Sequence, residues 1–158
     1  MNLYFFRHGP AGSKSAWDGD DADRPLTEKG RALTESVAQR LAEAGIEVDL
    51  VITSPFVRAV QTAQIAAKTL GVLQPLVQDD LLRPGFDLTA LDELLARNQA
   101  VGSVMLVGHE SDFSTVIGQL VGSARLVLKK SGVALVELPE PKAANGTLLW
   151  LVPPSLLA

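Results

Sequence analysis

The sequence predicts a three-layer α/β/α domain built on an open, mostly parallel sheet, with an antiparallel hairpin at one edge near the C-terminus. Three observations lead there. Short apolar runs closed by glycine or proline alternate with stretches of helical apolar spacing up to residue 121, the order that produces parallel strands covered by helices on both faces. Beyond that point the pattern changes to two apolar runs, 133–138 and Thr147–Val152, around a proline-rich connection containing Asn145-Gly146, which marks a hairpin. The chain has 158 residues, with no internal repeat, low-complexity tract or linker, and so fits one domain, 1–158.

The first run, residues 3–6, is short, apolar and aromatic and stops at Arg7-His8-Gly9-Pro10, as a buried strand feeding a loop does. Residues 10–25 are rich in Gly, Ser, Ala and Asp and read as a long surface loop, a kind that in a compact domain is usually functional or mobile. Thr27 or an adjacent residue caps a helix in which Leu33, Val37, Leu41 and Ala44 recur at helical spacing before Gly45 stops it. A second strand, 50–52, ends at Thr53-Ser54-Pro55. A second helix follows over 56–70, with Val60, Ala63, Ala67 and Leu70 on its apolar face and Pro55 in its first turn. A weaker third strand is expected over 73–77, then a loop at 79–86 and a helix over 88–96 that turns Leu91, Leu94 and Leu95 inward. Residues 103–107 form the fourth strand, halted by Gly108, and 112–121 a helix.

Composition removes several function classes. The chain has no cysteine, which excludes disulfide scaffolds, thiolate zinc sites, iron–sulfur clusters and cysteine nucleophiles. Its net charge of −4 argues against broad nucleic-acid binding, which requires a basic surface. No apolar stretch approaches the roughly 20 residues that span a bilayer, and the N-terminus lacks a basic leader. A cytoplasmic protein that binds neither nucleic acid nor membrane is expected.

The chemistry is carried by where the two histidines fall. His8 lies just past the first strand and His109 just past the fourth, and open α/β sheets collect ligands in the crevice outside the carboxyl ends of their strands. A satisfied structural imidazole is the alternative for either one alone. Metal binding would need a third ligand, and no His-Glu-x-x-His or Asp-x-Asp pattern supplies it; no cofactor is expected. Arg7 precedes His8, so both side chains face one pocket only if the chain turns at Gly9-Pro10. Arg58 falls near the start of the second helix, where a cation opposes the macrodipole. It therefore meets an anion, either a carboxylate of the protein or a ligand phosphate, for which its planar fork is suited. With helix N-termini adding donors, these residues make an anion pocket in an acidic protein. Neither Gly-x-x-x-x-Gly-Lys-Ser/Thr, Gly-x-Gly-x-x-Gly nor Gly-x-Ser-x-Gly occurs, which weakens nucleotide-triphosphate, dinucleotide and serine-hydrolase readings.

Arg7-His8-Gly9, Ser54-x-x-x-Arg58-Ala-x-Gln-Thr-Ala63 and Gly108-His109-Glu110, in that order, resemble the histidine phosphatase superfamily (phosphoglycerate mutase-like). The short chain and the segment Val107-Gly108-His109-Glu110-x-Asp112-Phe113-Ser114 are most similar to its bacterial SixA-type phosphohistidine phosphatases, although Ser111 stands where that group usually carries proline. The resemblance implies that His8 is the nucleophile, forming a transient phosphohistidine, and that Arg7, Arg58 and His109 hold the phosphoryl oxygens without a metal. It implies a phosphohistidine-bearing phosphorelay or phosphotransfer protein as substrate. A small-molecule phosphomonoesterase or mutase of the same superfamily, or a phospho-ligand binding module without turnover, are the alternatives. Many members place a glutamate after the third strand to protonate a departing alcohol; here Pro84 stands in that stretch. Asp79, Asp80, Asp87 or Glu110 is then the possible replacement acid.

Overall fold

Three parallel strands whose ends lie in register decide the geometry of this molecule. The computed structural model describes residues 1–157. In chain order it contains β1 (Asn2–Arg7), α1 (Glu28–Glu43), β2 (Leu50–Thr53), α2 (Val57–Thr69), β3 (Val77–Gln78), α3 (Leu88–Arg97), β4 (Ser103–Gly108), α4 (Asp112–Leu120), β5 (Val133–Glu137) and β6 (Thr147–Val152). The strands form one six-stranded sheet in the order β3-β2-β4-β1-β5-β6. The pairs β1–β4, β2–β4 and β2–β3 are parallel; β1–β5 and β5–β6 are antiparallel, which leaves β6 as the hairpin's outer edge. This is the three-layer α/β/α arrangement the sequence implied.

Alternation along the strands divides the core. Tyr4, Phe6, Val51, Met105 and Val107 face one layer with Val37 and Leu41 of α1 and Ala59, Ala63 and Ala66 of α2. Leu3, Phe5, Ile52, Val104 and Leu106 face the other with Leu91, Leu94 and Leu95 of α3 and Phe113, Val116 and Ile117 of α4. Each fully buried side chain of this size contributes roughly 1.5–3 kcal/mol against exposure. No helix is long and apolar enough to cross a membrane among the described residues.

Two helix faces differ from those the apolar spacing predicts. On α1 the buried residues are Gly30, Thr34, Val37, Ala38 and Leu41, with Leu33 half-buried and Ala44 exposed. On α2 they are Arg58, Ala59, Thr62, Ala63 and Ala66; of the expected face Ala63 is buried, Ala67 and Leu70 pack half-buried against the core, and Val60 is half-buried. The two helices pack against each other as well as the sheet, and their small residues allow that close approach, which bulkier Leu33 or Val60 would obstruct. The rotation matters for chemistry: Arg58, Thr62 and Ala66 form one i, i+4 stripe, so Arg58 enters the buried face. Pro55 lies just outside α2, whose N-cap is Phe56.

The third strand is the other correction. It is only Val77–Gln78 rather than 73–77. Pro75 cannot donate to a ladder, and Leu73 is left 97% exposed. The predicted loop 10–25 contains two short 3-10 turns, Lys14–Ala16 and Asp21–Asp23. At the hairpin Asn145 takes a positive φ of 57°, as turn chemistry at Asn-Gly leads one to expect.

Candidate active site

Strand register brings the two histidines together. Arg7 stands opposite Gly108 on β4, and Thr53 of β2 opposite Val107. The ladder continues one residue further, since His8 N–H donates to the Gly108 carbonyl at 3.0 Å and Ser54 N–H to that of Val107 at 2.9 Å. His8, Ser54 and His109 therefore emerge side by side at the carboxyl ends of β1, β2 and β4, with the His8 and His109 ring centroids 5.3 Å apart.

Two glycines make this packing possible. A Cβ on Gly9 would lie 2.4 Å from Thr34 Oγ1, a contact no side chain tolerates, so the chain after His8 can press onto α1 only as glycine. A Cβ on Gly108 would meet the Phe113 ring at 2.7 Å. Phe113 is fully buried and lies edge-on to Phe5, with centroids 5.2 Å apart. That contact seats the start of α4 directly after His109.

His8 is 7% exposed, and its ring is held at both nitrogens. Nδ1–H donates to the Gly9 carbonyl at 2.8 Å, while Nε2 accepts from Arg58 Nε at 3.3 Å. This pattern assigns the proton to Nδ1 and the lone pair to Nε2. Burial is the main force lowering the His8 pKa from 6.5 to about 3, with His109, Arg58 and Arg7 adding repulsion and the Gly9 hydrogen bond opposing the shift. Burial, then Arg58, likewise lowers His109 to about 4. Both imidazoles are neutral at pH 7.

His109 Nε2 lies 2.8 Å from Ser54 Oγ. That hydroxyl also accepts from Phe56 N–H at 3.3 Å, which ties the His109 ring to the start of α2. Phe56 meets the same ring edge-on at 5.0 Å and lies 4.9 Å from the Arg58 guanidinium carbon. Arg7 donates from Nη1 to the Leu128 carbonyl at 2.9 Å. Arg7 Nε, His109 Nδ1 and Glu110 Oε2 are buried without a partner, and an unsatisfied buried polar group costs about 1–3 kcal/mol.

Arg7, His8, Arg58 and His109 line one pocket of about 410 Å³, so all four residues singled out in the sequence converge. Lys14, Arg24 and Lys130 line it too, against the carboxylates of Asp21 and Glu110. Of the two anions the sequence left open for Arg58, the structure shows the carboxylate: its Nη2 forms an ion pair with Asp21 Oδ2 at 3.1 Å, while its Nε faces His8. Asp21 and Arg24 escaped the sequence reading; their one signal was the loop length of 10–25.

The possible acids separate clearly. Asp79 accepts from Leu81 N–H and pairs with Arg97, Asp80 pairs with Arg83, and Asp87 caps α3 by accepting from Ala90 N–H. Only Glu110 lines the pocket, where Ser114 Oγ donates to its Oε1. Pro84 also lines it, in the stretch where the resemblance implies a glutamate. Among the described residues, no three His, Cys, Asp or Glu side chains form a metal-ligand group.

Comparison with known proteins agrees with this geometry. Residues 3–84 match the sequence profile of the histidine phosphatase superfamily (branch 1). An uncharacterized protein of Picosynechococcus sp. is 40% identical over 141 residues, covering 84% of this chain and 82% of that protein. Phosphohistidine phosphatase SixA of Escherichia coli K12 is 29% identical over 157 residues, covering 98% of this chain and 94% of its own. A solved structure of the protein histidine phosphatase SixA complexed with tungstate superposes with a TM-score of 0.89 at 27% identity, covering 100% of both chains.

Proposed function

The chain belongs to the histidine phosphatase superfamily, and from that membership we propose that it is a phosphohistidine phosphatase working through a phosphorylated His8. The observation that carries the reading is an unprotonated His8 Nε2 in a pocket that also holds buried polar groups without partners. His8 Nε2 is held towards the pocket by the Nδ1–Gly9 bond, while the buried Arg7 Nε–H lacks an acceptor and His109 Nδ1 lacks a partner. Phosphoryl oxygens supply such an acceptor. Similarity to phosphohistidine phosphatase SixA supports the same substrate class.

A neutral nucleophile is the first requirement, and the low pKa of His8 meets it. Nε2 attacks phosphorus in line, and the bond from phosphorus to the leaving atom breaks. His8 becomes an N-phosphoimidazolium whose Nδ1–H stays on the Gly9 carbonyl. Arg7, Arg58 and His109 take the phosphoryl oxygens, and because phosphoryl transfer is catalysed mostly by positioning and electrostatics, they need do little else. Water then attacks the phosphorus, the P–Nε2 bond breaks, and dihydrogen phosphate leaves with neutral His8 restored.

The leaving group selects the substrate. Phosphohistidine carrying a proton on its other ring nitrogen departs as neutral imidazole, so the first step exchanges one imidazole for another and requires no acid. An alkyl ester must expel an alkoxide, for which a general acid is typically worth 10²–10⁴-fold. Pro84 offers no proton, and Asp79, Asp80 and Asp87 are occupied elsewhere. A phosphohistidine-bearing phosphorelay or phosphotransfer protein is accordingly the proposed partner, and the cytoplasm the proposed location. Glu110 favours the second reading, a small-molecule phosphomonoesterase, since of the four candidate acids it alone lines the pocket.

Rates on a histidine-phosphorylated protein, a phosphoserine peptide and a sugar phosphate separate the two. The proposal expects the first to be fastest by far; comparable rates on all three would favour the phosphomonoesterase.

A further inference from the structure

Arg58 occupies an unfavourable position. It is 4% exposed, it sits in the first turn of α2 where the helix dipole repels a cation, and burial lowers its pKa below the ordinary value. Something must hold both its charge and its orientation, and the contacts identify what does. Asp21 Oδ2 lies 3.1 Å from Nη2, and the Asp21 main-chain carbonyl accepts from Nη1 at 2.7 Å. One residue thus occupies both terminal nitrogens of the guanidinium.

We propose that Asp21 is a positioning residue for phosphoryl transfer: by filling the Nη1/Nη2 end of Arg58 it turns the Nε side of the planar fork towards His8 Nε2. This rests on the phosphoryl-transfer reading above. A guanidinium is flat and presents its donors in fixed directions, so fixing one end fixes the others. With the terminal nitrogens held, Nε is 3.3 Å from His8 Nε2, the atom to which phosphorus is transferred. Asp21 reaches the reaction only through Arg58.

The support behind Asp21 is itself built. Its Oδ1 accepts from Arg24 Nε at 2.9 Å, and Arg24 Nη1 donates to the carbonyls of Ala11 and Gly12 at 3.1 and 2.9 Å. Asp20 caps the short turn by accepting from Ala22 N–H at 2.9 Å. Burial works against the charge on Asp21, yet Arg24 and Arg58 outweigh it and hold the carboxyl below its usual range. From the other side Thr62 Oγ1 donates to the Arg58 carbonyl at 2.8 Å and accepts from Gly9 N–H at 3.1 Å. The loop after β1 and the start of α2 are therefore clamped across the pocket by Asp21 between two arginines.

The test is a double-mutant cycle. Asp21→Asn and Asp21→Ala are made in the wild type and in Arg58→Lys, and kcat and KM on a histidine-phosphorylated protein, orthovanadate affinity and melting temperature are measured. Asp21→Asn keeps the shape of the side chain and decides the matter if Asp21→Ala fails to fold. In the wild type it should lower kcat by about 10–100-fold, the scale of a misplaced catalytic group, with a parallel loss of orthovanadate affinity and little change in KM. In Arg58→Lys, which has no fork to orient, it should cost nothing further. Equal losses in both backgrounds, a lower melting temperature with kcat intact, or no effect would each overturn the proposal. If the wild type turns over no phosphorylated substrate, the functional reading fails, and the orthovanadate cycle still decides the role of Asp21.

Discussion

Arg58 Nε donates to His8 Nε2 across 3.3 Å, so the guanidinium and the imidazole lone pair face each other at the point where phosphorus would be bound. Both side chains are buried, and the ring's other nitrogen is committed to the Gly9 carbonyl at 2.8 Å. An incoming phosphoryl group would meet the lone pair at phosphorus and the guanidinium at its oxygens.

His8→Ala should abolish turnover while the protein stays folded. The side chain lies beyond the end of β1 and contributes nothing to either apolar cluster. Orthovanadate binding should persist in part through Arg7 and Arg58. Activity near the wild-type level in a folded His8→Ala protein, measured on any phosphorylated substrate, would remove the nucleophile from the account.

Arg58→Ala should damage both rate and stability, because the residue serves His8 and Asp21 together. Loss of a charged donor at the transition state costs roughly 2.7–4 kcal/mol, or about 10²–10³ in rate. The melting temperature should fall as well, since Asp21 loses one of its two arginines. Kinetics and thermal unfolding on one preparation check this. A lower melting temperature with rates unchanged would leave Arg58 a purely structural ion pair.

The two histidines should stay neutral well below their ordinary pKa of 6.5. Both are lowered, His8 to about 3 and His109 to about 4. Below 6.5 the unfolded chain binds protons that the folded one refuses, so the stability due to these groups is complete above that pH and declines as pH falls towards 4 and then 3. Proton–nitrogen NMR of the only two histidines in the chain should show both rings neutral at pH 6, with the His8 proton on Nδ1, and no change down to pH 5. A midpoint near 6.5 for either ring would contradict the buried, neutral site.

Glu110→Gln should leave turnover of a histidine-phosphorylated protein close to wild type, because an imidazole carries its own proton away. On an alkyl phosphate the wild type should already be slow. A hundred-fold fall on that substrate, from measurable wild-type activity, would identify Glu110 as a general acid and refute the argument from Pro84.

Much of this site was legible in the sequence because strand ends announce themselves. Apolar runs closed by Gly9 and Gly108 located the crevice, and two histidines beside those glycines located its chemistry. The helix faces were less legible. On α1 and α2 burial follows Thr34, Ala59 and Thr62, whose size allows close packing, and apolar periodicity points to the larger Leu33 and Val60 instead. Asp21 and Arg24 were legible only as members of a long loop. Their contacts arise in a loop without periodicity, and Asp21 meets Arg58 across 37 positions of sequence.

The central claim is that the phosphoryl group passes through His8. Rapid quenching of the enzyme with a radiolabelled histidine-phosphorylated protein, followed by peptide mapping, tests it most directly. The account predicts an acid-labile, base-stable phosphate on the peptide bearing His8, formed as fast as substrate is consumed and absent from a folded His8→Ala protein. Steady turnover with no label on the enzyme, or label on His109 instead, would contradict it.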